Sequence, residues 1–173
     1  METLQELAAK ALARESDGQA IEFEGRWYTW GDLRTVADEV GRLLDASGVA
    51  ATGPVALISR NHPATIAAEL GLIAGTRNIR FIYAFQAPAG IVRDLKRLEP
   101  AAFILTVQDL TDEVAKFLRA DRIATIVLDG MAVSAAPGLA QAGPAAAARS
   151  YTGEPQIEIL TSGTTGPPKQ FAV

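Results

Sequence analysis

Val55-Ala56-Leu57-Ile58-Ser59, followed directly by Arg60-Asn61-His62-Pro63, is the stretch that decides the fold. An unbroken apolar run opened by the turn Thr52-Gly53-Pro54 is what a strand covered on both faces requires. The period then changes from strand to helix. Ile66, Ala67, Leu70 and Ile73 lie on one helical stripe that stops at Gly75, with Asn61 or His62 as cap and Pro63 in the first turn. His62 is the only histidine in the chain, and helix capping accounts for it better than a general-base role, because no carboxylate is placed by the sequence to orient it.

Downstream the same alternation repeats. Asn78–Tyr83 reads as a strand, Ala87–Leu98 as a helix with Ile91, Val92, Leu95 and Leu98 inward, and Ala101–Val107 as a strand; Thr111–Leu118 is a helix and Ile123–Leu128 a further strand. Strands joined by helices of this length run parallel through right-handed crossovers, so the expected architecture is α/β, a doubly wound, mostly parallel sheet with flanking helices. Asp94, Lys96, Arg97, Glu99, Asp112, Glu113 and Lys116 read as solvated helix faces.

Upstream, Leu4, Leu7, Ala8, Ala11 and Leu12 trace an amphipathic first helix that docks on the core. Ala20–Phe23 and Arg26–Thr29 flank Glu24-Gly25 as a small β-hairpin near the amino terminus. Thr29 and Asp32 form a capping-box pattern, with Asp in place of the usual Glu, ahead of a helix whose apolar face is Leu33, Val36, Ala37, Val40, Leu43 and Leu44.

With 173 residues, 49% hydrophobic and 21% charged, the chain can bury a sizeable core. A net charge of −4 and the lack of an aromatic-interleaved basic run give no support to a nucleic-acid partner. No cysteine is present, which removes disulfides, thiolate metal sites and a thiol nucleophile. Acids near the amino terminus stand where a signal peptide needs bases, so the expected compartment is cytoplasmic. Residues 130–150, rich in Ala, Gly and Pro, read as a mobile linker with one short helical turn rather than a transmembrane segment. The expected division is therefore 1–129 as an α/β unit, 130–150 as linker, and 151–173 as a strand and loop opening a further segment.

Function is written near the far end. Gln156–Leu160 is a β-favouring run, and after it comes Thr161-Ser162-Gly163-Thr164-Thr165-Gly166-Pro167-Pro168-Lys169. Two glycines let backbone amides turn inward around an anion, three hydroxyls add donors, and the lysine adds a mobile charge. The prolines stiffen the exit. The nucleotide P-loop pattern does not fit: counted from Gly163, Pro168 stands where its second glycine belongs and Gln170 where its metal-binding hydroxyl belongs.

Residue for residue, the stretch resembles the phosphate loop of the adenylate-forming (AMP-binding) superfamily, which includes acyl-CoA synthetases, aryl-CoA ligases and luciferases. The Thr29 helix start, the Val55 strand and the helix ending at Ala74-Gly75 are similar in order, although Gly75–Arg80 lacks a proline that many members carry. The resemblance implies the first subdomain of the family's large domain, in a ligase that uses Mg-ATP to convert a carboxylic or fatty acid to an acyl-adenylate. Coenzyme A or a carrier phosphopantetheine would be the acceptor. Thr161, Ser162, Gly163, Thr164, Thr165, Gly166 and Lys169 would bind the ATP phosphates. The family's adenine- and acid-binding segments and its catalytic lysine lie beyond this loop, so no catalytic residue is expected in this chain, and an amino-terminal fragment with little activity of its own is expected. Phe171 and Val173 read as the start of an apolar element, and self-association is expected from the face it leaves uncovered. A self-contained phosphate-binding or oligomerisation module is the alternative.

Overall fold

A computed structural model describes residues 2–161 and 169–172, with side-chain surroundings through residue 159. Its elements in chain order are α1 (Leu4–Leu12), β1 (Gln19–Phe23), β2 (Arg26–Thr29), α2 (Trp30–Ala46), β3 (Val55–Ser59), α3 (Pro63–Ala74), β4 (Ile79–Tyr83), α4 (Pro88–Leu98) and β5 (Ala102–Thr106). After a 3₁₀ turn at Val107–Asp109 come α5 (Asp112–Asp121), β6 (Ala124–Asp129), β7 (Ala132–Ala135), α6 (Pro144–Ala147), β8 (Ile157–Thr161) and β9 (Lys169–Ala172). The sheet order is β7-β6-β5-β3-β4-β8-β9, while β1 and β2 form a separate antiparallel hairpin. Strands β6, β5, β3, β4 and β8 are parallel, and antiparallel β7 and β9 close the two edges.

Strand β3 sits in the middle because its side chains suit only that place: Val55, Ala56, Leu57 and Ile58 are all fully buried. Each large one contributes about 1.5–3 kcal/mol relative to exposure. Alternation divides the strand residues between two layers. Val55, Leu57, Ile79, Ile104 and Ile126 pack on the side that holds α2 and α3. Ala56, Ile58, Ile82, Phe103 and Val127 pack against Ile91, Leu95 and Leu98 of α4 and Val114 and Leu118 of α5. From β3 the chain crosses to β4 on one side and then back over to β5 on the other, and crossovers of one hand taken in opposite directions put α3 and α4 on opposite faces.

Helix α2 begins with the expected capping box: Thr29 Oγ1 accepts from the Asp32 amide at 3.1 Å and Asp32 Oδ2 accepts from the Thr29 amide at 2.9 Å. It runs so close to α3 that a Cβ on Gly71 would lie 2.9 Å from Ala37 Cβ.

Three local expectations need correction. Leu4 and Leu7 of α1 are half-exposed, and the helix docks through Ala8 and Leu12 instead. Asp94 is only 5% exposed, because Gln86 in the preceding loop turns back to donate to its carboxylate at 2.9 Å. The Ala-rich stretch carries strand β7 in addition to a short helix; its residues are weak strand formers held by pairing with β6. Among the described residues, no helix is long and apolar enough to cross a membrane.

Candidate functional site

Every parallel strand points its carboxyl end to the same rim, where ligands of doubly wound sheets bind. On that rim β3 ends at Ser59, β4 at Tyr83, β5 at Thr106 and β8 at Thr161. The pairing of β4 with β8 runs as far as Phe81 opposite Ile159, and each strand continues two residues beyond it, to Tyr83 and Thr161. Strand β9 returns antiparallel, with Thr161 opposite Lys169. The backbone of these two positions is thereby brought together at the mouth of the hairpin. Ser162, Gly163, Thr164, Thr165 and Gly166, the rest of the expected phosphate loop, lie outside the described residues.

What anchors β8 in this place is clear from the residues before the loop. Arg80 of β4 and Glu158 of β8 are register partners, with Nε and Oε2 3.0 Å apart, and both side chains are largely buried. The Nε–H is not aligned on that oxygen, so the contact is a close coulombic pair, while the guanidinium also donates to the Leu98 carbonyl. At the other end of the strand, Asn78 Oδ1 accepts from the Gln156 amide at 3.1 Å and its Nδ2 donates to the Thr52 carbonyl at 3.1 Å.

The loops of the carboxyl rim are tied by one arginine. Arg60, just past β3, donates through Nε and Nη2 to Asp109 at 2.8 and 2.6 Å, and through Nη2 to the Ala84 carbonyl at 3.2 Å. Asp109 is 5% exposed and also accepts from Thr106 Oγ1 at 2.7 Å. One guanidinium thus joins the ends of β3, β4 and β5, and its own pKa is raised by the hydrogen bonds to Asp109. Neither the pair nor its location was visible in the sequence.

Beside Tyr83 lies a cavity of about 340 Å³ lined by Ser59, Phe81, Tyr83, Ala84, Phe85 and Ile159, among others. Phe85 is 76% exposed and Tyr83 62%, their rings meeting edge to face at 5.7 Å, with Arg60 5.7 Å from the Phe85 ring. Ser59 Oγ donates to Glu69 of α3 at 2.6 Å. Burial pushes the Glu69 carboxyl above the ordinary carboxylate range, and the Ser59 hydrogen bond offsets part of that. His62, in contrast, is the cap of α3: its Nδ1 accepts from the Ala64 amide at 3.2 Å and its ring meets Phe23 edge-on. Among the described residues no cluster of three or more His, Cys, Asp or Glu is arranged to hold a metal.

The fold is shared with several solved enzymes. The chain superimposes on a natural red emitting luciferase from Phrixothrix hirtus with TM-score 0.71 and 15% identity, covering 99% of this chain and 45% of that one. With the anthranilate CoA ligase AuaEII in complex with anthranoyl-AMP the TM-score is 0.69 at 15% identity, over 99% and 34% of the two chains. With apo MatB from Rhodopseudomonas palustris it is 0.66 at 18%, over 98% and 34%. In sequence, the chain is 26% identical to the acetoacetyl-coenzyme A synthetase of Rhizobium meliloti (strain 1021) over 193 aligned residues, which take in 94% of this chain but only 29% of that protein. The family described as AMP-binding enzyme matches residues 8–171, nearly the whole length, and the chain belongs to that family.

Proposed function

We propose that this chain supplies the phosphate-binding part of an ATP-dependent ligase that activates a carboxylic acid as its acyl-adenylate, for transfer to a thiol such as coenzyme A or a carrier phosphopantetheine. The observation that carries the reading is the hairpin: a Thr-Ser-Gly-Thr-Thr-Gly-Pro-Pro-Lys stretch whose two ends, Thr161 and Lys169, face each other at the carboxyl end of a parallel strand. In the reaction a carboxylate oxygen attacks the α-phosphorus of Mg-ATP, the bond from that phosphorus to the bridging oxygen breaks, and pyrophosphate leaves with the electron pair. The loop hydroxyls and amides, with Lys169, hold the β- and γ-phosphates in line and neutralise the charge that grows on the leaving group. Thr161, Ser162, Gly163, Thr164, Thr165, Gly166 and Lys169 are the proposed contacts.

Since the chain spans 29% of the acetoacetyl-coenzyme A synthetase, adenylation is proposed for a polypeptide that carries this chain together with the remaining parts of such an enzyme. Acid-dependent exchange of labelled pyrophosphate into ATP tests it. Lys169→Ala should slow that exchange about 10–100-fold, the worth of one lost charge-assisted contact in the transition state; an unchanged rate removes Lys169 from the mechanism, and no exchange with any acid in a broad panel removes the activity.

A non-catalytic oligomerisation role is favoured by one observation, the exposed Tyr83, Phe85 and Ile159, which line one cavity at the carboxyl rim. A strict monomer at high concentration, read by light scattering, excludes this second reading.

A further inference from the structure

The opposite rim of the sheet, where the parallel strands begin, carries a cavity of about 400 Å³ lined by Arg119, Arg122, Gly138, Leu139, Ala140 and Gln141. We propose that it is a second anion site, separate from the Thr161–Lys169 hairpin, in which Arg119 and Arg122 take the phosphate group of a small ligand.

The argument begins with how this chain treats its arginines. Arg34, Arg42, Arg60, Arg77, Arg80, Arg93 and Arg149 each reach a carboxylate or a backbone carbonyl. Arg14 and Arg26 lie over the rings of Trp30 and Tyr28. Among the described residues, Arg97, Arg119 and Arg122 have no such partner, and two of these three converge on one cavity. No carboxylate lines it. Asp121, between them in sequence, has its Oδ2 3.5 Å from Arg149. A basic residue in the last turn of α5 suits the helix dipole, which accounts for a charge at Arg119 but not for a second arginine lining the same cavity with no carboxylate beside it.

A second feature fixes one of the arginines. Arg122 holds a left-handed backbone (φ 51°) and its carbonyl accepts from the Gly143 amide at 2.8 Å. Its stem lies so tightly on Gly143 that a Cβ there would come within 2.6 Å of Arg122 Cβ. The stem of the side chain thus lies along the Gly143 backbone while the residue stays open to solvent, and a stem already packed lowers the ordering cost of binding. Across the cavity, the turn at Gly138 (φ 73°) is followed by the amides of Ala140 and Gln141, which donate to nothing among the described residues. Forked guanidinium donors and spare amides, with no acid opposed, are the chemistry that recognises phosphate oxygens.

The test is a titration of the chain with inorganic pyrophosphate at low ionic strength, followed by backbone amide chemical shifts, with AMP as a second arm. Saturable shifts are expected at Arg119, Arg122, Ala140 and Gln141. Arg119→Gln with Arg122→Gln should weaken that binding by about tenfold or more, while Lys169→Gln leaves it unchanged. Tighter binding of pyrophosphate assigns the site to a free anion, and tighter binding of AMP to a phosphate ester. Absence of saturable shifts at these four positions overturns the proposal, as does equal affinity in the double variant. If the double variant does not fold, the location of the wild-type shifts decides alone.

Discussion

Asp109→Ala should cost this fold about 2–3 kcal/mol. The substitution deletes both hydrogen bonds from Arg60, at 2.8 and 2.6 Å, and that from Thr106, at 2.7 Å. Breaking a buried ion pair from one side typically costs about 3–5 kcal/mol, because the partner charge is stranded. The Arg60 side chain keeps 21% of its surface exposed and still reaches the Ala84 carbonyl, so water recovers part of that loss. In urea, where the slope for a small domain is about 1–3 kcal/mol per molar, the unfolding midpoint should fall by about 0.7–3 M. The double variant Arg60→Met with Asp109→Leu, which strands no charge, should lose less than Asp109→Ala. A loss below about 1 kcal/mol, or a double variant no more stable than the single one, would refute the view that this pair ties the three strand ends together.

Glu69 makes stability depend on pH. Its pKa is raised in the folded chain, so the folded state holds the proton more tightly than the unfolded one; that contribution is complete below the unfolded value of about 4.3 and is lost as pH rises through the folded value. Glu69→Gln should therefore stabilise the chain at pH 8 and flatten the thermal midpoint between pH 4 and pH 8; a destabilised variant at pH 8 contradicts this. Gly71→Val should lose about 1–3 kcal/mol by prising α2 from α3, read from chemical denaturation, and no change would mean the 2.9 Å approach is easily relaxed. Thr29→Ala should lose about 1 kcal/mol with its capping box, whereas Thr29→Ser should keep most of it. If the chain self-associates through its exposed aromatic pair, Phe85→Glu should shift sedimentation toward monomer; unchanged sedimentation acquits that patch.

The sheet, its helices and their caps were legible because they rest on local signals. Val55–Ser59 had to be covered on both faces, and Thr29, Asp32, His62 and Pro63 announced helix starts within a few residues of themselves. What stayed hidden depends on distance along the chain. Arg60 and Asp109 are 49 residues apart, and only the crossover from β4 to β5 places them together. Asp94 looked solvent-facing by periodicity, since nothing in the helix itself says that Gln86 folds back on it. Leu4 and Leu7 satisfied a helical stripe that the tertiary packing used only in part. Strand β7 had no propensity to betray it. For the hairpin the motif carries the proposed phosphate-binding role, while the placement of β8 beside β4, with Glu158 against Arg80, came only from the register of the two strands.

The Asn78 latch has a bearing on the order of assembly. Its contact with Gln156 closes 78 residues of intervening chain, and the entropy of such a closure must be met before the contact returns anything. Strands β3, β4, β5 and β6 are each linked to a neighbour by a single helical crossover, so they can pair while residues beyond 150 are still unattached. Strands β8 and β9 are then expected to join the sheet after these four, an order that pulsed amide exchange during refolding would check. A chain emerging from the ribosome would present a nearly finished scaffold, and strands β8 and β9 would join it only afterwards.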